Sequence, residues 1–376
     1  MKFVFASDSF KGSLTSQKIN EILTGVAKAQ FKDCTCVPLL IADGGEGTLE
    51  AVITQKNGRI IFAEAENPLG ERIRSRYGVF ENSALVCMSE ASGLPLLPTA
   101  MRSARKTSTF GTGELIRYAV ESGYRKIYVT LGGSATNDGG MGALTALGYR
   151  FLDENGNVLK GSGEELCKVR SIDGSNALDF SGIQVILLCD VSNPLLGERG
   201  ATYTYGRQKG ATDSDLAFLE SGMENFARVA ERFTGKSLNV AGGGAAGGIG
   251  GALYAFLNAE IKSGIQTVLD LCDFDNAILG ADLVITGEGR VDFQSANGKV
   301  IDGILRRANK QNVPVIAIAG SLGDGAEQLY EKGLAAAFAT VNKPMALETA
   351  IENAETLYKH AAENVFRLIK NIKKGR

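Results

Sequence analysis

The sequence predicts an α/β protein with an open, mostly parallel, Rossmann-like sheet and a second, inserted α/β domain. Three observations carry that expectation. Short apolar runs recur, each opening into a polar, glycine-rich cluster: FVFA before Ser7-Asp8-Ser9, VPLLI before Ala42-Asp43-Gly44-Gly45, KIYVTL before Gly132-Gly133-Ser134, and LVI before Thr286-Gly287-Glu288. Continuous apolar runs of this length are what strands covered on both faces of a parallel sheet show. Helical patterns follow the clusters, and helices are the crossovers that parallel strands need. Between about 59 and 90 the pattern changes to RIIFAEA, ERIRSRYGVF and ALVCMSEA joined by turn signals, which predicts an antiparallel meander. With 376 residues, the chain exceeds what one hydrophobic core usually holds.

Taken in order, FVFA (3–6) is the first strand, and Thr15 or Ser16 caps a helix whose Ile19, Ile22, Leu23 and Val26 form one apolar face. TLEAVITQ (48–55) and MGALTAL (141–147) are further helices. YRFLDENGNVL (149–159) is hairpin-like, and a loop-rich stretch runs to about 210. A long helix follows at 213–233, with Leu216, Leu219, Met223, Phe226 and Val229 on one side. ADLVITGEGR leads to a helix near 298–310, and VPVIAIAG and AAAFATV are later strands. The expected division is 1–63 with 276–376 as the first domain and 64–275 as the insertion; residues 106–140 fit either.

Composition excludes several classes. Lys+Arg number 40 and Asp+Glu 42, so there is no electrostatic footprint for nucleic acid or an anionic membrane. The opening MKFVFASDSF has an apolar run too short for a secretory leader or a membrane span, which predicts a cytoplasmic protein. The six cysteines are scattered, only Cys34 and Cys36 lying close, so no disulfide framework or CxxC metal site is offered. Glycine is abundant at 47 residues, about one in eight against an average of about 7%, and it is clustered where backbone could approach a ligand.

Five clusters carry the chemistry: Asp8 to Gly12 with Lys11; Asp43 to Gly47 with Glu46; Gly132 to Gly140 with Ser134, Asn137 and Asp138; Asp190 to Asn193; and Gly287 to Asp292 with Glu288, Gly289 and Arg290. Each mixes backbone amides with a carboxylate, and several add a cation. Phosphoryl transfer needs those three ingredients, around phosphate oxygens, Mg²⁺ and the attacking hydroxyl. In an open α/β sheet they would converge beyond the carboxyl ends of the strands. An Asp after a buried strand is equally often an N-cap or Asx-turn residue, so any one cluster alone is weak and the five together are the argument. Asp33 and Asp153 sit in ordinary polar turns. The single His, His360, falls in an amphipathic segment and disfavours His-based catalysis. There is no GxxxxGK[ST], and the GxGxxG match at Gly242 to Gly247 has no strand before it, so it is a tight helix start or phosphate-facing loop rather than a dinucleotide site. Arg207 and Lys209 could hold an anion, though two basic loop residues are more often solvated. Two other classes stay open: a nicotinamide-dependent hydroxy-acid dehydrogenase and a non-catalytic anion-binding protein.

The clusters, in this order, resemble the bacterial glycerate kinase family of type 1. The matching stretches are DSFKGSL (8–14), ADGGEGT (42–48), SEASGL (89–94), FGTGELI (110–116), LGGSATNDGG (131–140), CDVSNPLLG (189–197), GRQKGAT (206–212), ITGEGRVDFQS (285–295) and PVIAIAGS (314–321). Departures are small: Ser7 and Arg207 stand where the family favours Pro, and Val291 where Leu or Ile is common. The resemblance implies an ATP- and Mg²⁺-dependent kinase of D-glycerate, a small-molecule substrate, with the 2-phosphorylated product favoured over the 3-phosphorylated one. It also implies two different α/β domains, the second inserted into the first. On this reading Lys11, the amides from Gly44 and Gly45 through Glu46 to Gly47, and those of Gly132, Gly133 and Ser134 cradle nucleotide phosphates, with Asn137, Gly287, Glu288 and Gly289 beside them. Asp43, Asp138 and Asp292 are the expected metal ligands. Asp190 is the favoured general base with Asp8 second, and Arg290 would grip the glycerate carboxylate through its guanidinium fork. Neither nucleic acid nor membrane is an expected partner, and a homo-oligomer is left open.

Overall fold

The computed structural model describes residues 1–45, 47–296 and 298–374. The chain divides into two compact units, one of Met1–Asp43, Glu50–Lys56 and Ile265–Arg376 and the other of Gly44–Leu49 and Asn57–Gly264.

The first unit is built on a parallel sheet ordered Leu334–Ala339, Val315–Ala319, Leu283–Thr286, Lys2–Phe5, Thr35–Pro38. Lys2–Phe5 lies inside it, with Phe3 opposite both Leu283 and Cys36. An interior strand must be apolar on both faces, and Phe3, Val4 and Phe5 are all fully buried. The helix Ser16–Gln30 starts where the Thr15 hydroxyl accepts the Lys18 amide at 3.1 Å. Its Ile19, Leu23 and Val26 pack on the sheet together with Tyr358, Val365 and Phe366 of the helix Ala354–Lys374. The rings of Phe3 and Phe366 meet edge to face at 5.1 Å. His360 lies exposed on that same helix, away from the sheet.

The second unit holds a mixed sheet ordered Glu260–Lys262, Gln184–Leu188, Lys126–Thr130, Ser83–Cys87, Arg72–Phe80, Arg59–Glu66. Its first four strands are parallel. The last two add antiparallel, and Arg59–Glu66 pairs with Arg72–Phe80 along its whole length. That pairing carries residues 59–63, counted above with the first domain, into this unit's sheet; residues 106–140 lie in this unit as well. The stretch 149–159 closes a short hairpin on itself: Leu152 bridges Val158 antiparallel, and the Leu159 amide bonds the Phe151 carbonyl at 2.8 Å. At its tip Asp153 gathers the amides of Asn155 and Asn157 into a tight turn, and Arg150–Leu152 pairs as well with Ser171–Asp173. The helix Asp213–Thr234 begins in a reciprocal capping box between Thr212 and Asp215 and ends at Gly235 in the left-handed conformation.

The Gly242–Gly248 segment is the tight helix start that the sequence offered as one reading. Its glycines let protein backbone approach protein backbone: a Cβ on Gly247 would lie 2.0 Å from the Thr136 carbonyl oxygen and one on Gly244 2.1 Å from that of Pro194. It is a close-packed start to the helix Ile249–Leu257.

Candidate active site

In the first unit the polar loops leave the carboxyl ends of neighbouring parallel strands. The Asp8 amide bonds the Gly287 carbonyl at 2.9 Å, which sets the loop after Phe5 beside the loop after Thr286. A Cβ on Gly287 would sit 1.9 Å from the Ile318 carbonyl oxygen, so only glycine lets this loop turn over the neighbouring strand. Asp8, Asp43 and Glu288 are thereby brought within electrostatic reach of one another, with Lys11 as the local cation. Asp8 is 5% exposed, and burial first, Asp43 second, push its carboxyl from an ordinary 3.8 to about 8, with Glu288 adding to the rise. The Ser9 amide, 2.7 Å from Asp8 Oδ1, and Lys11 pull the other way. Burial also raises Glu288, which the Ser295 hydroxyl and Lys299 partly offset and Asp43 and Asp292 reinforce. Glu288 Oε1 is buried and has no hydrogen-bond partner among the described residues. Arg290 is exposed and faces Asp292 at 3.4 Å, while Asp292 Oδ1 accepts the Gln294 amide at 2.9 Å.

The second unit gathers its own group at the carboxyl end of its sheet. A Cβ on Gly132 would lie 2.9 Å from Gly45 Cα and 3.0 Å from the Gly44 carbonyl oxygen, so the two glycine loops run in contact. Gly44, Gly47 and Gly133 all take positive φ, which turns their amides in a way other residues resist. Gly44 also lies against Leu188 and Gly264, next to the residues that carry Asp190. Asp190 is partly exposed, and the Ser263 hydroxyl donates to its Oδ1 at 2.8 Å. Ser134 bridges across to Gly93 through its backbone. Glu46 lies outside the described residues.

Two expected site residues turn inward instead. Asp138, expected as a metal ligand, is fully buried and accepts the Thr109 amide and hydroxyl, each at 2.7 Å, and the amides of Gly140 and Gly142 at 3.1 and 3.2 Å. With four donors on two oxygens it has little capacity left for a cation. Burial, the larger effect, raises its carboxyl above the ordinary range while those donors pull the other way, and the four bonds make it the hub of its loop. Asn137 is likewise fully buried, its amide bonded to the Thr202 hydroxyl at 3.2 Å. Among the described residues no three or more His, Cys, Asp and Glu side chains form a group that could hold a metal ion. None of their helices is long and apolar enough to cross a membrane.

A family model described as the glycerate kinase family matches residues 3–370. The chain belongs to the glycerate kinase family. It is 40% identical over 378 residues to a glycerate kinase of Bacillus subtilis, covering 99% of each chain. It is 38% identical over 382 residues to a glycerate 2-kinase of Escherichia coli K12, covering 99% of this chain and 97% of that one. A crystal structure assigned to glycerate kinase 2 of Salmonella typhimurium LT2 superposes with a TM-score of 0.88 at 41% identity, over 100% of this chain and 99% of that one. Membership makes the protein a phosphotransferase with an alcohol group as acceptor, the activity that the carboxylate and glycine clusters suggested.

Among the buried charges that the sequence does not mark is one in the GRQKGAT stretch. Arg207 is exposed and forks onto Asp213, as a solvated loop residue should, but Lys209 is 1% exposed and donates to the Thr136 carbonyl at 2.7 Å. The only signal was position: Lys209 falls in a stretch shared with the family, GRQKGAT, yet nothing in its neighbours marks it as buried.

Proposed function

We propose that the chain transfers the γ-phosphoryl group of ATP to the 2-hydroxyl of D-glycerate, in Mg²⁺-dependent catabolism of that acid in the cytoplasm. The observation that carries the reading is Asp8: a carboxyl at the end of an interior strand, nearly buried, with a pKa of about 8 and two further carboxylates and a lysine around it. A base works best when its pKa lies near the working pH, and such perturbation concentrates at functional sites. Asp8 is therefore preferred to Asp190 as acceptor of the glycerate hydroxyl proton. Asp190, held by Ser263, stands at the strand ends of the second unit.

The donor set fits Mg²⁺, which takes oxygen ligands and usually only one or two protein carboxylates beside waters and phosphates. Asp43 and Glu288, whose Oε1 lacks a partner among the described residues, would hold it. When bound, the ion supplies charge neutralisation on the phosphate oxygens. Lys11 adds positive charge beside Asp8, and the amides of Gly44, Gly45, Gly132 and Gly133 donate to phosphate oxygens. Arg290 receives the glycerate carboxylate through its fork.

The name of the Escherichia coli relative, a glycerate 2-kinase, supports the 2-hydroxyl. The test is a coupled ADP-release assay with ATP and D-glycerate, followed by phosphorus NMR of the product. A 2-phosphoglycerate signal is the expected result; a 3-phosphoglycerate signal would overturn the regiochemistry, and absence of ADP release would overturn the reaction.

A further inference from the structure

Lys209 stands at the end of a short turn that Gly210 closes in the left-handed conformation, and its side chain runs into the interior of the second unit. Burial lowers its ammonium group to about 7, and the charge of Asp138 pulls the other way. Every residue of the segment from Ala135 to Gly139 is held by a buried contact. The Thr107 hydroxyl donates to the Ala135 carbonyl at 3.0 Å, Lys209 to that of Thr136, and the Asn137 amide to Thr202. Four donors converge on Asp138, and the Gly139 amide bonds the Gly247 carbonyl at 2.9 Å. One carbonyl needs only one neutral donor, as Thr107 provides next door. An ammonium group in a dry interior costs far more than a hydroxyl, and here the Asp138 charge is what offsets it. Ionisable groups perturbed in this way concentrate at functional sites.

We propose that Lys209 is a positioning residue of the reaction. Its ammonium group holds the Thr136 carbonyl and, through the charge of Asp138, locks the segment that begins at Gly132 in the shape its amides need to meet phosphate oxygens. The inference rests on reading Gly132 to Ser134 as a phosphate cradle. Lys209 touches no substrate; it acts through the loop.

The experiment measures kcat and both KM values by ADP release for Lys209→Met, Lys209→Gln and Gly132→Ala, each normalised to folded enzyme and accompanied by a thermal midpoint. Displacing a catalytic loop by about 1 Å can cost on the order of 100-fold in rate, so Lys209→Met should lose at least about tenfold in kcat per folded molecule with KM for glycerate little changed. Lys209→Gln, which keeps a donor but not the charge, should lie between Met and the parent. If Lys209→Met fails to fold, Lys209→Gln decides: a reduced kcat supports the proposal and an unchanged one overturns it. A lowered thermal midpoint with unchanged kcat per folded molecule means a purely structural lysine and also overturns it. Gly132→Ala, whose Cβ would press on Gly45, tests the cradle. If it leaves kcat and the KM for ATP unchanged, both readings fall; if it impairs them while the Lys209 variants turn over normally, only the lysine's role falls.

Discussion

Replacing Asp8 with Asn separates two consequences of one buried carboxyl. The folded pKa, about 8, stands above the unfolded value of 3.8. The folded chain therefore binds more protons than the unfolded one between those values, and stability falls as pH rises through that window. At about 1.4 kcal/mol per pH unit, ionised Asp8 costs the fold at most ~6 kcal/mol by pH 8 and nothing near pH 4. Asn is close in shape and has no such cost. Asp8→Asn should therefore be more stable than the parent at pH 8, by a margin that shrinks steadily and vanishes near pH 4. Loss of the proton acceptor should meanwhile cut kcat/KM for glycerate by about 10²–10⁴. The measurements are urea unfolding from pH 4 to pH 8 and steady-state ADP release. A variant less stable at pH 8, a stability gap independent of pH, or a retained kcat/KM would refute the reasoning.

For the parent enzyme, kcat/KM for glycerate should rise with pH along a limb near 8, the free-enzyme value for Asp8, and Asp190→Asn should leave that limb in place. Arg290→Ala should raise KM for glycerate about tenfold or more with kcat nearly intact, since its contact is made equally before and during the reaction; a selective fall in kcat would count against it. Gly287→Ala should cost about 1–3 kcal/mol or more, read by urea unfolding, because the added methyl collides with the Ile318 carbonyl. Removal of divalent cations with EDTA should abolish turnover without changing the circular dichroism spectrum, and added Mg²⁺ should restore it.

The parallel strands were legible because a strand buried on both faces leaves an apolar run with a polar loop at its end; Phe3 to Phe5 and Leu283 to Thr286 are of this kind. The same rule put Asp8, Asp43 and Glu288 at adjoining strand ends. What local pattern does not carry is the direction in which a loop residue points. Asp138 and Asn137 stand in a polar, glycine-rich stretch like those around Asp8, yet their partners are Thr109, which donates to Asp138, and Thr202, which accepts from Asn137, both far along the chain. Lys209 is hidden for the same reason, its partner lying 73 residues away. The Gly242–Gly248 segment matched a ligand motif because close approach to a phosphate and close approach to another backbone both demand a missing Cβ.

Pairing of Lys2–Phe5 with Leu283–Thr286 has a bearing on how the chain is made. When a ribosome has delivered residue 264, the whole second unit is in hand, while three of the first unit's five strands are still to come. Its opening strand Lys2–Phe5 can pair with Thr35–Pro38 early, but its other edge must wait until Leu283–Thr286 emerges. Contacts so distant along the chain close slowly, and the interval is when trigger-factor-like holdases would have most to protect.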